Sequence, residues 1–426
     1  MPTLVFALNR SNCLLARILL ACALALFAST VRAADALIDA IISGTPLADV
    51  RLRFEDVRQA GKAREASATT ARARLGYQTG RYRGLNALAE FDFLQHFGPE
   101  HFNDTINGRI LYPTIADPDM AALNRLQLNY SGSLFAAAES NTPDFSITAG
   151  RQRIFFGDGR FIGNAEWRQH EQTFDAVTVA ETPLSGTTLT YSYVARVNRV
   201  FGPDSSVGHF DSHSHLFNAI YGGLLPMLKL EGYAYLLDLK QAPGLSTATY
   251  GLRGDGTFGI DNGWSLRLNG AYADQTDYAR NPLHYDLSYY LVEGGLAGQG
   301  LILLGGYEVF EGNGVTAVQT PLANLHPFNG WAESFLTKPP HGLEDGYFKA
   351  SYTLSPLSFF NRVTAALAYH DFSAERIDMD YGREWDSSLE GQIGPHLVMD
   401  VAYADFHGAG PFPTKRVVWL YATYRY

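Results

Sequence analysis

The most restrictive feature of this sequence is an alternation of apolar and polar side chains that recurs along almost its whole length. From Leu85 to Phe93, every odd-numbered position is leucine, alanine or phenylalanine, while Asn86, Glu90 and Asp92 fall between them. Because side chains of a β-strand point alternately to its two faces, such a segment predicts a strand with one apolar and one polar face. Roughly eighteen segments of about 10 to 13 residues follow this pattern, and a tilted strand needs that length to cross a bilayer.

These faces favour a closed membrane barrel over a soluble β-protein. A soluble sandwich or propeller buries its apolar faces and exposes small polar residues outward. A closed sheet with lipid outside and water inside fits the observed polarity, because it pairs all of its backbone groups. No stretch after the first 33 residues has 18 consecutive apolar residues, so no spanning helix is expected. We therefore predict an all-β, transmembrane antiparallel β-barrel.

The connections between the predicted strands alternate in length. Long loops on one rim and tight turns on the other are typical of outer-membrane barrels, whose strand number is even. We predict about eighteen strands, with sixteen as the alternative, long extracellular loops and short periplasmic turns. The predicted turns are Thr79–Arg81, Leu184–Gly186, Leu225–Met227, Ile260–Gly263, Ala297–Gly300, Ser355–Pro356 and Gly394–Pro395. The predicted loops are Gly98–Met120, Phe155–Glu171, Arg199–Ser214, Asp274–Leu283, Gly312–Glu344 and His407–Thr414.

The first 33 residues predict a secretory signal peptide. Arg10 and Arg17 precede the apolar run 18–27, and Ala33 supplies a small residue before the expected cleavage. Residues 34–48 are expected to be a short periplasmic segment, and residues 49–426 the barrel. Both cysteines, Cys13 and Cys22, lie in the leader, so the mature chain would have no thiol chemistry. Removing the three leader arginines takes the net charge from −10 to −13, and so acidic a chain is not expected to bind nucleic acid.

The last ten residues predict a closing strand. Val418, Leu420, Ala422, Tyr424 and Tyr426 share one face, which ends on the terminal aromatic residue. Such a strand resembles the recognition signal of bacterial outer-membrane barrels. We therefore expect the barrel-assembly machinery to recognise this strand through Tyr426.

The polar faces of the predicted strands carry many cations. A cation facing lipid at mid-depth would cost about 2–4 kcal/mol, so these groups should point into an aqueous lumen. Low-dielectric walls would focus their field on anions, and guanidinium pairs bidentately with carboxylate or phosphate. Alternatively, they pair with luminal acids such as Glu55, Glu90 and Asp92 and only stiffen the barrel. The predicted luminal cations are Arg51, Arg53, Arg72, Arg74, Arg125, Arg196, Arg253, Arg267, Lys349 and Arg425.

A segment of unusual composition, Gly150–Asp175, follows the fifth predicted strand. It combines arginines, acids and large aromatic residues without alternation or a helical stripe across its middle. We predict that it folds into the channel as a constriction, with Arg151, Arg153, Arg160 and Arg168 as ligands for passing anions. The alternative is a loop that only caps the outer mouth.

Several motifs, densest over residues 50–200, carry a family resemblance. They are Arg51–Glu55, Thr70–Tyr77, Asn103–Gly108 with Tyr112–Pro113 and Ala116–Pro118, and Gly150–Arg153 with Arg160–Gly163 and Trp167–Gln169. In these motifs the chain resembles the alginate-export family of proteobacterial outer-membrane proteins. The resemblance implies an eighteen-stranded monomeric barrel whose arginine-rich pore passes an anionic uronate polysaccharide or oligosaccharide. It implies pore arginines at Arg51, Arg72, Arg74, Arg125, Arg151 and Arg153. Since the family extends beyond alginate producers, the substrate does not follow from it.

Two other functions remain open from the sequence. A general or nutrient-uptake porin for small anions or sugars shares every architectural feature above. An outer-membrane enzyme is the more remote alternative, because Gly-x-Ser-x-Gly, HExxH and glycine-rich phosphate motifs are absent. Asp211, His213 and His215, close to His209, could bind a divalent metal, although such a segment is more often only polar. No cofactor is predicted; the expected partners are an anionic polysaccharide or small anionic solute and outer-membrane lipid.

Overall fold

The computed structural model describes residues 35–133 and 144–426. The predicted signal peptide and part of the link after the fourth strand lie outside the described residues. Residues 35–42 form a helix, α1, directly before the first strand, which begins at Thr45, within the segment expected to precede the barrel. No helix in the described part of the chain is both long and apolar enough to cross a membrane.

The alternating segments form eighteen strands. In chain order they are β1 Thr45–Gln59, β2 Ala66–Gln78, β3 Leu85–His101, β4 Met120–Gly132, β5 Phe145–Gln152, β6 Thr173–Glu181, β7 Thr187–Asn198, β8 His209–Leu225, β9 Leu228–Leu236, β10 Thr247–Gly259, β11 Ser265–Asp277, β12 Asp286–Gly298, β13 Leu301–Phe310, β14 Leu343–Leu354, β15 Arg362–Ser373, β16 Asp380–Ile393, β17 Leu397–Gly408 and β18 Lys415–Arg425.

The sheet closes on itself as a barrel. Each strand pairs antiparallel with its sequence neighbours, and β1 pairs with β18 from Asp49↔Arg425 to Gln59↔Lys415. Closure leaves no unpaired strand edge, so every strand backbone has a partner on both sides. The predicted antiparallel barrel of about eighteen strands is therefore confirmed.

The two faces of the wall differ as the alternation predicts. Outward residues such as Leu252 and Val292 are 70% and 68% exposed to the space that lipid would fill. Inward residues such as Arg53, Asp92 and Glu384 are buried. The polar face therefore encloses the bore, and the apolar face coats the outside.

Two long connections fold into the bore instead of standing above it. L3 (residues 153–172) links β5 to β6, and L7 (residues 311–342) links β13 to β14. Buried Phe161 and Leu322 belong to one apolar cluster with the wall residues Tyr289 and Phe372. The ends of the predicted segment Gly150–Asp175 are strand residues of β5 and β6, and its middle is L3.

Candidate functional site

Guanidinium groups of β1 and β2 hold the backbone of L3 against the wall. Arg51 and Arg53 donate to the carbonyl oxygen of Trp167, at 3.1 and 3.0 Å. Arg72 donates to the carbonyl oxygen of Gln169 at 3.3 Å. Three guanidinium groups thus donate to two carbonyl groups only two residues apart in L3. The position of L3 therefore depends on the cationic face of β1 and β2.

Glu171 at the end of L3 is the centre of a buried charge network. Its carboxylate lies 3.3 Å from Arg74 and 2.7 Å from Arg153, and it accepts a 2.6 Å hydrogen bond from Asn124. Burial by itself would raise the pKa of Glu171, but the two guanidinium groups outweigh burial and hold its pKa at about 2. Glu171 is therefore ionised at neutral pH and ties the end of L3 to the wall.

Most of the predicted luminal arginines have acidic partners on the wall. Arg74 pairs with Asp92 at 2.6 Å, and Arg125 pairs with Glu90 at 2.7 Å. Further pairs join Arg53 to Glu55, Arg72 to Asp49, Arg253 to Asp158 and Asp255, and Arg425 to Asp49. Inward alternation thus places these cations together with carboxylates rather than in an uncompensated stripe.

L7 is held by carboxyl groups of β16, which lies three strands from β1 around the closed sheet. The amide N–H of Ala332 donates to Glu384 at 2.6 Å, and the amide N–H of Trp331 donates to Asp386 at 3.3 Å. Both carboxylates point inward from β16. The carbonyl oxygen of Ala332 also accepts a hydrogen bond from Lys415 at 2.5 Å, so both an acidic and a basic side chain of the wall hold this residue of L7.

L3 and L7 meet inside the bore, against the wall formed by β1 and β18. The rings of Trp167 and His326 stack, and Arg168 of L3 pairs with Glu333 of L7. His326 also lies 3.1 Å from Glu333. Burial would raise the pKa of Glu333, but Arg168 keeps it well below the usual range, whereas burial lowers the pKa of His326. At neutral pH this contact therefore contains one ion pair and an uncharged imidazole.

Arg160 of L3 is buried between L7 and the wall strand β13. Its guanidinium pairs with Glu308 at 2.6 Å and lies 4.5 Å and 4.4 Å from the ring centres of Phe310 and Phe328. Arg160 is 2% exposed. It therefore joins L3 to the wall and to L7 and does not face an open passage.

Two cavities remain on either side of the docked loops, and their linings share no residue. The lower cavity, on the short-turn side, has a volume of about 320 Å³. The upper cavity, on the long-loop side, has a volume of about 330 Å³. The charged lining of the lower cavity is Arg51, Arg72, Arg74, Arg153, Arg425, Asp49, Glu90 and Glu166.

The upper cavity is more aromatic and apolar. Trp167, His326 and Phe201 line it, together with the cations Arg168, Arg199 and Lys415. The Arg199 guanidinium lies over the rings of Phe201 and Phe210, 4.6 and 4.3 Å from their centres, and burial lowers its pKa to about 10. His326, Glu333 and Lys415 are not among the residues predicted from the sequence. For the two L7 residues, the available signal was the nearby group of large aromatic residues Phe328, Trp331 and Phe335 in a long connection.

Arg151 and Arg196 lie on the outer face, which corrects their prediction as luminal residues. Arg151 pairs in register with Leu126, which is exposed on the lipid side. Register shifts between Asp175 and Ala176 and between Val194 and Arg196 bring Arg196 opposite Asp175, which also pairs with Arg151. Since one extra residue reverses which face the following side chains occupy, strict alternation from the middle of β7 misplaces Arg196.

The remaining predicted cations keep their inward positions. Arg267 and Lys349 alternate with the exposed, outward Leu268 and Phe348, and the Lys349 ammonium lies 4.6 Å from the ring centre of Tyr347. Arg425 lies at the lower rim, 3.2 Å from Asp49. The structure thus gathers Arg51, Arg72, Arg74, Arg153 and Arg425 around one cavity and leaves Arg253, Arg267 and Lys349 elsewhere on the wall.

The three candidate metal ligands of β8, which the sequence favours only weakly, do not converge on one point. Asp211, His213 and His215 follow one another at every second position of β8, and such positions are about 7 Å apart. His213 and His215 instead contact the hydroxyls of Tyr193 and Tyr191 at 2.8 and 2.9 Å. Across residues 35–133 and 144–426, no three His, Cys, Asp or Glu side chains are grouped to hold a metal ion.

Comparison with known proteins places this architecture among bacterial outer-membrane channels. A family model described as "Alginate export" matches residues 43–299. The structure is similar to OccAB4 of Acinetobacter baumannii, at a TM-score of 0.69 and 12% identity, covering 90% of this chain and 98% of that chain. It is also similar to OpdK of Pseudomonas aeruginosa solved with vanillate, at a TM-score of 0.67 and 14% identity, covering 89% and 98%. OccK9 (OpdG) of the same species gives a TM-score of 0.66 and 15% identity, covering 91% and 100%. No curated protein matches the chain.

Proposed function

The chain belongs to the alginate export family and is a porin-like protein of the Gram-negative outer membrane, and we propose that it is a channel for anionic solutes. Uronate sugars are the substrate class that we propose. The family and the fold are those of channel proteins. We propose further that the chain works as a monomer after signal-peptide-directed export. Its C-terminal strand, ending at Tyr426, would be the segment that the barrel-assembly machinery recognises.

The lower cavity is the observation that carries this proposal. Five guanidinium groups line it, against the three carboxylates of Asp49, Glu90 and Glu166. Asp92 and Glu171, which pair with Arg74 and Arg153, are buried behind the lining, so the groups that face the cavity are mainly cationic. Cationic groups facing a low-dielectric enclosure raise the local concentration of anions. Guanidinium groups also match the planar geometry of a carboxylate, which every uronate residue carries.

The size of the passage favours oligosaccharides or single sugars over a polymer in the conformation described here. Each cavity is of about 320–330 Å³, and L3 and L7 stand between them. Ligand cavities of roughly 300–1,000 Å³ hold small molecules. A polysaccharide would therefore require L3 and L7 to separate. The second candidate function is uptake of small carboxylates. The small volume of the two cavities supports it, as does the similar structure of OpdK, which was solved with the carboxylate vanillate.

Ion selectivity provides the first test. The purified chain is inserted into planar bilayers, and the reversal potential is measured across a potassium chloride gradient. We expect anion selectivity, and we expect Arg425→Gln to weaken it, because Arg425 lines the lower cavity without holding L3. Arg280→Gln, in the exposed β11–β12 loop, is the matched control and should change nothing. A cation-selective channel would contradict the proposal.

Substrate class is tested separately in liposomes. Swelling rates are compared for glucuronate, glucose and uronate oligomers of increasing length. Faster entry of glucuronate than of glucose supports the uronate assignment, and equal rates remove it. A sharp loss of entry beyond one or two sugars would favour the small-carboxylate alternative over export of a polymer.

A further inference from the structure

Helix α1 has an apolar face that no other described residue covers. Leu37, Ile38, Ile41 and Ile42 fall on one side of the helix, as the 3.6-residue period requires. All four are classed as exposed, and Ile42 is 73% exposed. Asp35 and Asp39 flank this face beyond Ile42, and the small residues Ala36 and Ala40 lie on the far side, so the helix is amphipathic. Water solvates the polar face favourably, whereas exposure of the apolar face to water is unfavourable.

The helix is attached to the outside of the barrel wall at the lower rim. The hydroxyl of Tyr77 donates to the carbonyl oxygens of Ile41 and Ile42, at 2.6 and 3.2 Å. The amide N–H of Gly80, in the β2–β3 turn, donates to the carbonyl oxygen of Ala40 at 2.7 Å, and Ala40 is buried. Tyr77 shares the outward face of β2 with Leu75, two residues before it. These contacts place the helix beside the outer face and not beneath the bore.

Tyr77 also shows the depth at which the helix lies. Outward-facing tyrosines Tyr130, Tyr352 and Tyr424 stand at the same lower ends of their strands and are exposed, as Tyr77 is. Rings of aromatic side chains mark the membrane–water interfaces of outer-membrane barrels. The carbonyl groups bound by Tyr77 are therefore at the level of the lipid headgroups.

We propose that α1 is an interfacial anchor whose apolar face lies in the periplasmic leaflet of the outer membrane. Its apolar face continues the lipid-facing wall at the level of the aromatic ring, which makes lipid the occupant. A helix this short is marginal in water on its own, and an amphipathic helix gains stability by lying in the interface. The proposal is independent of the transported solute.

Spin labels on neighbouring residues test the anchor. In a background with Cys13→Ser and Cys22→Ser, nitroxides are attached to Ile38→Cys and, as the matched control on the next residue, to Asp39→Cys. The labelled chains are reconstituted in phosphatidylethanolamine-rich vesicles, and collisions with oxygen and with a water-soluble nickel chelate are measured. The heat-induced shift in gel mobility verifies that each barrel is folded, and Ile42→Cys provides a second apolar position.

The expected result is a label on Ile38 that oxygen reaches and nickel does not, with the reverse preference at Asp39. Equal nickel access at both positions would overturn the proposal, because the helix would then stand in water. Protection of Ile38 and Ile42 from both reagents would also overturn it, since a second protein surface would then cover the helix.

Discussion

The indole of Trp167 and the imidazole of His326 stack face to face inside the bore, with ring centres 3.7 Å apart and planes inclined by 6°. The two residues belong to different loops, and both rings pack against Trp419 of β18. The width of the passage is therefore decided where L3 meets L7, and not by the diameter of the barrel alone.

Removing this stacked pair should widen the passage. In Trp167→Ala, L3 and L7 lose their ring contact as well as the edge contacts of Trp167 with Trp419 and Tyr421. We expect a several-fold increase in single-channel conductance in planar bilayers. Trp385→Ala, on the exposed outer face of β16, is the control and should conduct like the parent. Unchanged conductance in Trp167→Ala would show that the loops do not limit flow.

Neutralising Glu171 should loosen L3. Glu171→Gln removes the carboxylate that buried Arg74 shares with half-buried Arg153. Because Arg74 keeps Asp92 as a partner, we expect a cost at the low end of the range of about 3–5 kcal/mol for breaking a buried ion pair. The expected result is a lower free energy of unfolding in urea, with faster protease cleavage within L3. Glu166→Gln is the matched control on the same loop, because the Glu166 side chain is exposed. A variant as stable as its control would contradict the role of Glu171.

The lowered pKa of Glu171 predicts that the stability of L3 depends on pH. The pKa of Glu171 falls from an ordinary value of 4.5 to about 2 in the folded chain. A lowered carboxyl pKa contributes stability that is fully present above 4.5 and is lost as the pH falls from 4.5 towards 2. Protease sensitivity of L3 should therefore rise across this window, and Glu171→Gln should show a smaller rise. Constant sensitivity down to pH 2 would be evidence against the network.

Arg160 should matter for stability and not for selectivity. In Arg160→Met, Glu308 loses its buried partner, which should cost about 3–5 kcal/mol. The reversal potential should stay at the parent value, because Arg160 faces no passage. Arg425→Gln should show the opposite pattern of effects. A shift in reversal potential for Arg160→Met, without a change in conductance, would show that ions reach this guanidinium.

Substitution of Arg196 tests whether its side chain lies on the outer face of the wall and not in the lumen. Its side chain lies on the outer face, 3.9 Å from Asp211, and both are well exposed. Arg196→Gln should change stability by less than about 1 kcal/mol, as for other exposed pairs, and should leave ion selectivity unaltered. Reversal-potential measurements on this variant and on Arg425→Gln, made side by side, separate an outward arginine from an inward one. Equal shifts in the two variants would place Arg196 in the lumen after all.

The class of fold and the face that most residues occupy follow from local patterns in the sequence. A period of two is a local property of the chain, so Leu85 to Phe93 indicates a strand, and Arg53 or Arg74 an inward cation, without knowledge of any partner. The positions of the tight turns and of the closing strand follow from the same local chemistry, as does the unusual nature of the segment around Trp167.

The contents of the bore depend on contacts between segments that are far apart in the sequence. The bulge before Arg196 depends on pairing with neighbouring strands, and no sequence period records the reversal of face that follows it. Arg51 contacts the backbone of Trp167 from 116 residues away, and Arg168 contacts Glu333 from 165 residues away. Such contacts arise because barrel closure brings distant segments into one small volume, where burial forces each charge to find a partner. That requirement, which a linear pattern does not express, pairs the arginines with carboxylates and fixes two loops across the passage.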